Sequence, residues 1–197
     1  MGTPGFRSWG EYEDQAVSMR VWMPGIMHGL LQTEDYAHAL LKTSPGATDE
    51  MVASRLRSRM QRQRRVLMRD EPPDVWFIVD QMALYRLVGS AETMSGQMRH
   101  LLSVAARTNV TLQVLPAVAH PANASEFIVT DSAAYTEHVA GGLVFTEEET
   151  LSSLLRLFNS IHSESYRASE SVAMIEEVGE IWTGESQATQ TPTEGPA

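Results

Sequence analysis

The chain has 197 residues, with 15 Lys and Arg against 25 Asp and Glu, and so a formal net charge of −10. That balance disfavours direct nucleic-acid binding, which must neutralise phosphates, and disfavours an anionic membrane surface. There are no cysteines, which excludes disulfides, thiolate metal sites and cysteine nucleophiles and fits a cytoplasmic protein. No apolar run reaches membrane-span length, and the opening MGTPGFRSWGEYED lacks the apolar core of a signal peptide.

Residues 1–8 read as a flexible N-terminus. Trp9, Tyr12, Ala16, Met19 and Met23 fall at helical spacing, which predicts one amphipathic helix over 9–23, broken by Pro24-Gly25. Thr33 is a good N-cap for the next helix, which carries Glu34 and Asp35 in its first turn and Lys42 in its last. A longer helix over 49–68 holds six arginines between Arg55 and Arg65, the one basic block in an acidic chain.

The stretch from Val75 to Pro116 organises the rest. Val75–Val79 is a short β-branched and aromatic strand, Val110–Leu115 a second, and between them a helix places Met94, Met98, Leu101, Leu102 and Ala105 on one face. This is a β-α-β unit with a right-handed crossover. EFIVT, AAYTEH and LVFTE read as three further strands, close enough in sequence to extend the sheet as antiparallel neighbours. A helix from Glu147 to about His162 shows Leu151, Leu154, Leu155, Phe158 and Ile161 on one face, and a last helix ends near Trp182. Residues 183–197 are polar and read as a disordered tail. The expected fold is α+β: a small mixed β-sheet with a β-α-β core, flanked by N-terminal and C-terminal helices. It forms a single domain over 9–182, with a helical part at 9–69, a sheet core at 75–146 and C-terminal helices at 147–182.

Strand ends in such a unit are where ligands often bind. Asp80, Gln81, Arg86, Gln97, His120 and Glu137 are the polar residues expected at that edge. His120 with a carboxylate has the make-up of an acid–base pair; a hydrogen-bonded pair holding the loop is the plainer reading. The arginine block reads as a solvated helix face or, more sharply, as a diphosphate contact through Arg55, Arg59 and Arg62. Asp70, Glu71 and Asp74 superficially resemble the aspartate-rich motif of terpene cyclases and could hold magnesium, but the intervening Pro72-Pro73 forbids the helix that motif needs. Neither zinc-type spacing nor a Gly-x-Ser-x-Gly nucleophile elbow is present. No cofactor is expected, with magnesium needed only by the cyclase alternative. The methionines, Met19, Met23, Met27, Met94 and Met98 among them, either fill a core or line a pocket for a small hydrophobic ligand.

WGEYEDQA, GLLQTEDYAHALL, the Arg-rich helix, VWFIVDQMALYRLVG, QMRHLL, NVTLQVLP, a His-containing loop before EF, AYTE and SESVAMIEEV follow one another in order. Together they resemble the actinobacterial domain of unknown function found C-terminal to Xre-type helix-turn-helix domains in transcriptional regulators. The resemblance spans Trp9 to Val178. It implies a regulatory sensor module that binds a small ligand or a partner protein; the charge balance adds the expectation that it touches neither DNA nor membrane, and a homodimer is left open. The family's DNA-binding domain would precede Trp9, where only eight residues stand. Two positions depart from the family pattern: His28 replaces a proline, and Gln81 replaces a glutamate after Asp80. The alternative is a stand-alone member repurposed in specialised metabolism, namely a magnesium-dependent terpene cyclase acting on an isoprenoid diphosphate.

Overall fold

The run SMRVWM is a β-strand, not the end of a long first helix. The computed structural model describes residues 8–117, 125–138 and 141–190; it places helix α1 at Trp9–Gln15 and strand β1 at Ser18–Met23. The single helix expected over 9–23 is corrected accordingly. Met19, Val21 and Met23 obey a period of two as well as a helical one, and a short apolar run cannot choose between them. Pairing decides it. β1 lies parallel to β2 (Asp74–Asp80) on one side and antiparallel to β4 (Phe127–Thr130) on the other.

β2 in turn pairs in parallel with β3 (Val110–Leu115), while β5 (Ala134–His138) and β6 (Gly141–Phe145) continue the antiparallel side. The strand order is β3-β2-β1-β4-β5-β6. Three parallel strands thus give way, at the β1–β4 seam, to an antiparallel half. The helices are α2 (Glu34–Lys42), α3 (Asp49–Leu67), α4 (Gln81–Tyr85), α5 (Ala91–Ala105), α6 (Glu148–Glu164) and α7 (Ala168–Gln190), with a 3-10 turn at Gly29–Leu31. The fold is α+β, and helices flank a six-stranded mixed sheet among the described residues.

Side-chain caps explain where several helices begin. Thr33, Thr48, Asp80 and Ser90 each accept a hydrogen bond from a backbone N–H of the first turn that would otherwise lack a partner. α7 runs to Gln190, past the tail boundary expected at 183. The Thr183 hydroxyl accounts for part of this extension, since it pairs with Ser95 on α5 at 2.9 Å and donates back to Gly179 O at 2.8 Å. The N-terminal residues 1–7 and the far tail 191–197 lie outside the described residues.

Alternation along the strands produces two separate cores. Met19, Val21, Met23, Phe77, Val79, Leu112 and Val114 pack with residues of α2, α3, α5 and α7. Trp22, Ile78, Leu115, Phe127 and Val129 pack with Phe158 and Ile161 of α6. Leu155, expected on the apolar face of α6, is instead an exposed side chain. The outer edge of β3 is closed by the α6–α7 junction: Tyr166 N–H donates to Val114 O, and Val114 N–H donates to the Ser171 hydroxyl. An exposed run of ladder groups would otherwise invite pairing with another chain. Among the described residues, no helix is long and apolar enough to cross a membrane.

Candidate functional site

Where β1 ends, the chain turns through Pro24 and a left-handed Gly25 (φ 84°) into a loop that borders a cavity of about 140 Å³. Glu126 stands just before β4, and Glu137 lies near the end of β5; both line the same cavity, which therefore sits at the parallel–antiparallel seam. α1 and α3 close it from the helical side through Trp9, Arg59 and Arg62. A larger groove of about 610 Å³ runs between α5 and α7, but its charged residues, Arg99, Glu176 and Glu180, are exposed. Solvent screens charges there, whereas Arg59, Arg62 and Glu126 of the smaller cavity are only partly exposed and so less screened.

The helical wall is held by one strong pair. Arg62 Nε and Nη2 donate to the two carboxylate oxygens of Glu13 at 2.8 and 2.7 Å, and Glu13 is fully buried. Such a fork matches guanidinium to carboxylate geometry. Burial on its own would lower the Arg62 pKa, but the hydrogen bonds and charge of Glu13 raise it above the usual arginine value. One helical turn before Glu13, Trp9 stacks on Tyr135 with ring centroids 5.2 Å apart. The Trp9 indole N–H is buried and has no hydrogen-bond partner among the described residues. The Tyr135 ring can lie where it does because Gly142, which pairs with Glu137 across β5 and β6, has no side chain: a Cβ there would come within 2.2 Å of the phenol oxygen.

Three glutamines fasten the loop after β1. Gln32 Nε2 donates to Met27 O at 2.6 Å, Gln63 Nε2 donates to Gly29 O and Gln32 O at 2.6 and 2.7 Å, and Gln97 bridges Leu31 O and Thr33 N–H at 2.6 and 2.8 Å. Arg59 Nη1 donates to Gln32 Oε1 at 2.6 Å. His28, buried against Phe77, accepts from Leu30 N–H through Nδ1 at 3.3 Å, so its proton sits on Nε2. Burial, then the charges of Arg62 and Arg59, push its pKa well below the ordinary 6.5, and the ring is neutral.

On the sheet side, burial and then the charge of Glu137 raise the Glu126 pKa, while Arg62 and Arg59 oppose the rise. Tyr135 hydrogen-bonds Glu137, and burial followed by that carboxylate raises its pKa. Burial and the neighbouring Arg62 lower the Arg59 pKa, against an upward pull from Glu137 and Glu126. No ion pair joins Arg59 to either carboxylate among the described residues. The charges sense one another across the cavity without touching.

The six residues expected at the strand edge scatter. Glu137 lines the cavity. Gln97 braces the loop behind it without lining it. Asp80 caps α4 by accepting from Met82 N–H at 2.8 Å, Gln81 Oε1 accepts from Ala117 N–H at 2.9 Å, and Arg86 is an exposed residue at the other end of α4. His120 lies outside the described residues. Of the arginines expected to face a diphosphate, Arg59 and Arg62 line the cavity and Arg55 does not. Asp70 and Glu71 sit beside Ala16 and Val17, and Asp74 pairs with Ser18. They occupy the opposite end of β1 from Met23, roughly 15–20 Å away along six strand residues. Among the described residues, no cluster of three or more His, Asp or Glu side chains could hold a metal ion. Met19, Met27, Met94 and Met98 are fully buried in the core; Met27 and Met23 also border the cavity.

Trp9, Glu13, His28, Glu126 and Tyr135 were not anticipated at the site. Trp9 and Glu13 do carry a signal, being four residues apart and so on one helix face. The carboxylates carry none until the strands are paired. A family model for the domain of unknown function DUF5753 matches residues 6–177. The chain belongs to this family. No curated protein and no solved structure matches it. In this DUF5753 domain, then, the site's chemistry has to be read from the residues themselves.

Proposed function

We propose that this DUF5753 domain is a ligand-sensing regulatory module that binds a small polar molecule in the cavity between α3 and β5 and does not itself contact DNA. The observation that carries the reading is a set of charges facing one small space without satisfying one another: Arg59 on one side, Glu126 and Glu137 on the other. Arg59 and Glu126 are partly withdrawn from water, where unpaired charge is costly, and such arrangements concentrate at functional sites. The resemblance to domains that follow Xre-type helix-turn-helix regions supports a regulatory role, and the net charge of −10 supports the absence of DNA contact. The ligand expected here is polar, where the methionine content alone suggested a hydrophobic one. The cyclase alternative has weaker support, because Arg62 is committed to Glu13 and the aspartate-rich turn lies at the other end of the sheet.

The test is a melting-temperature screen of the purified chain against amino acids, amines, carboxylic acids, sugars and prenyl diphosphates with magnesium. At least one small polar compound is expected to raise the melting temperature, and Arg59→Ala is expected to abolish that rise. Retention of duplex DNA by the chain at physiological salt would overturn the reading, as would stabilisation by prenyl diphosphates alone.

A further inference from the structure

The cavity's size and charge pattern together narrow the ligand class, an inference that rests on the sensor reading above. A cavity of about 140 Å³ compares with the roughly 150 Å³ that accommodates benzene in an engineered protein core, so the part of an occupant held inside it has on the order of six to eight non-hydrogen atoms. An isoprenoid diphosphate does not fit inside it.

Charge then selects among small molecules. Arg62 is neutralised by its fork onto Glu13. What remains facing the space is the Arg59 guanidinium, which uses one nitrogen on Gln32 and keeps its other donors. Opposite it stand Glu126, half-buried, and Glu137, exposed at the cavity's rim, with no cation paired to either among the described residues. A simple amine would relieve the two carboxylates and leave Arg59 unmatched. A simple acid would match Arg59 and deepen the repulsion on the glutamate side. A phosphate carries more negative charge than one free guanidinium balances beside two carboxylates. A molecule with both charges a few ångströms apart satisfies each wall. Trp9 and Tyr135, stacked on each other, add aromatic wall to the same space.

We propose that the cavity binds a small zwitterion of the α-amino-acid class, its ammonium between Glu126 and Glu137 and its carboxylate on Arg59. Isothermal titration of the full chain with L-alanine, L-serine and L-valine tests this directly. Isobutylamine and isovalerate serve as controls, each being valine stripped of one charged group. At least one amino acid binds at millimolar concentration or below, and each control binds at least about tenfold more weakly than valine, a difference that titration resolves readily. Glu137→Gln removes the preference over isovalerate, and Arg59→Gln removes the preference over isobutylamine. Both side chains are at least partly exposed, and the comparison of ligands on the unsubstituted chain stands even where a variant misfolds. Equal binding of either control, or no binding by any of the three amino acids, overturns the zwitterion. A melting-temperature rise with another class of polar ligand, alongside no amino-acid binding, overturns the zwitterion and leaves the sensor reading intact. No rise with any compound overturns both.

Discussion

The two faces of the sheet solve the same burial problem with different materials. The face under α6 is sealed by one amphipathic helix over Trp22, Ile78, Leu115, Phe127, Val129, Phe158 and Ile161. The opposite face is covered by several helices and admits Glu13, His28, Gln32, Gln63 and Gln97 among its buried residues. One helix laid on a sheet leaves a single interface that apolar side chains can fill to interior density. Several helices meeting at a strand end leave an irregular space, with backbone groups of the loop after β1 that need partners inside. Buried polar groups are the response to that geometry, and a cavity with charged walls is its by-product. The sealed face is structure; the other is structure with chemistry inside it.

The comparison breaks most visibly at Phe158. Phe158→Ala should cost about 3–5 kcal/mol, the usual penalty for emptying an aromatic site, when unfolding in urea is followed by circular dichroism. Ligand binding should be unchanged below the transition's onset, where the chain is folded, because residues with no shared partners contribute independently. Coupled loss of binding would mean that the two faces are one unit. Glu13→Ala comes next, at about 2–3 kcal/mol. It leaves the Arg62 cation partly buried without its partner, and the 30% exposure of the Arg62 side chain tempers the penalty of a fully buried pair. Replacing Glu13 and Arg62 together by leucine should recover most of the loss, which a double-mutant cycle would read directly.

The smallest effect is the pH dependence of His28. Its pKa is lowered on folding, so the unfolded chain binds the proton more tightly. Its contribution to stability is therefore complete above pH 6.5 and is lost as pH falls toward the depressed native value. The slope through that window approaches one proton, about 1.4 kcal/mol per pH unit. Denaturant midpoints measured from pH 7.5 downward should show the acid-side decline in the unsubstituted chain and a flatter curve in His28→Asn. Glu126 works with the opposite sign: its raised pKa gives stability present below the ordinary carboxyl value of 4.5 and lost as pH rises through the native value.

Much of the fold could be read along the chain, because α3, α5, β2 and β3 each combine a clear period with a cap or breaker at the boundary. β1 could not, and the reason is physical. Six residues carrying Met19, Val21, Trp22 and Met23 suit either period, and only partners far along the chain, Val75–Val79 and Phe127–Thr130, make the strand the better state. The site was obscured by the same ambiguity. With β1 treated as helix, nothing brings β5 over α1 and α3, so Glu137 and Arg59 enter the reading as members of separate hypotheses. Asp80 and Gln81 attract attention as polar residues after a strand, yet Asp80 starts α4 and Gln81 ties down Ala117. Polar residues at strand ends serve as caps as well as ligand contacts, and the type of residue alone does not separate the two.

Trp9 belongs to two structures at once: it anchors α1 on the sheet through Tyr135, and it walls the cavity. Any molecule that touches this indole has a different affinity for the domain with α1 docked than with α1 released. Linkage makes that difference reciprocal: the factor by which an occupant tightens α1 is the factor by which withdrawing α1 loosens the occupant. A force or a partner acting on the N-terminal helix would therefore be felt as a change in dissociation constant, with no contact to the ligand at all.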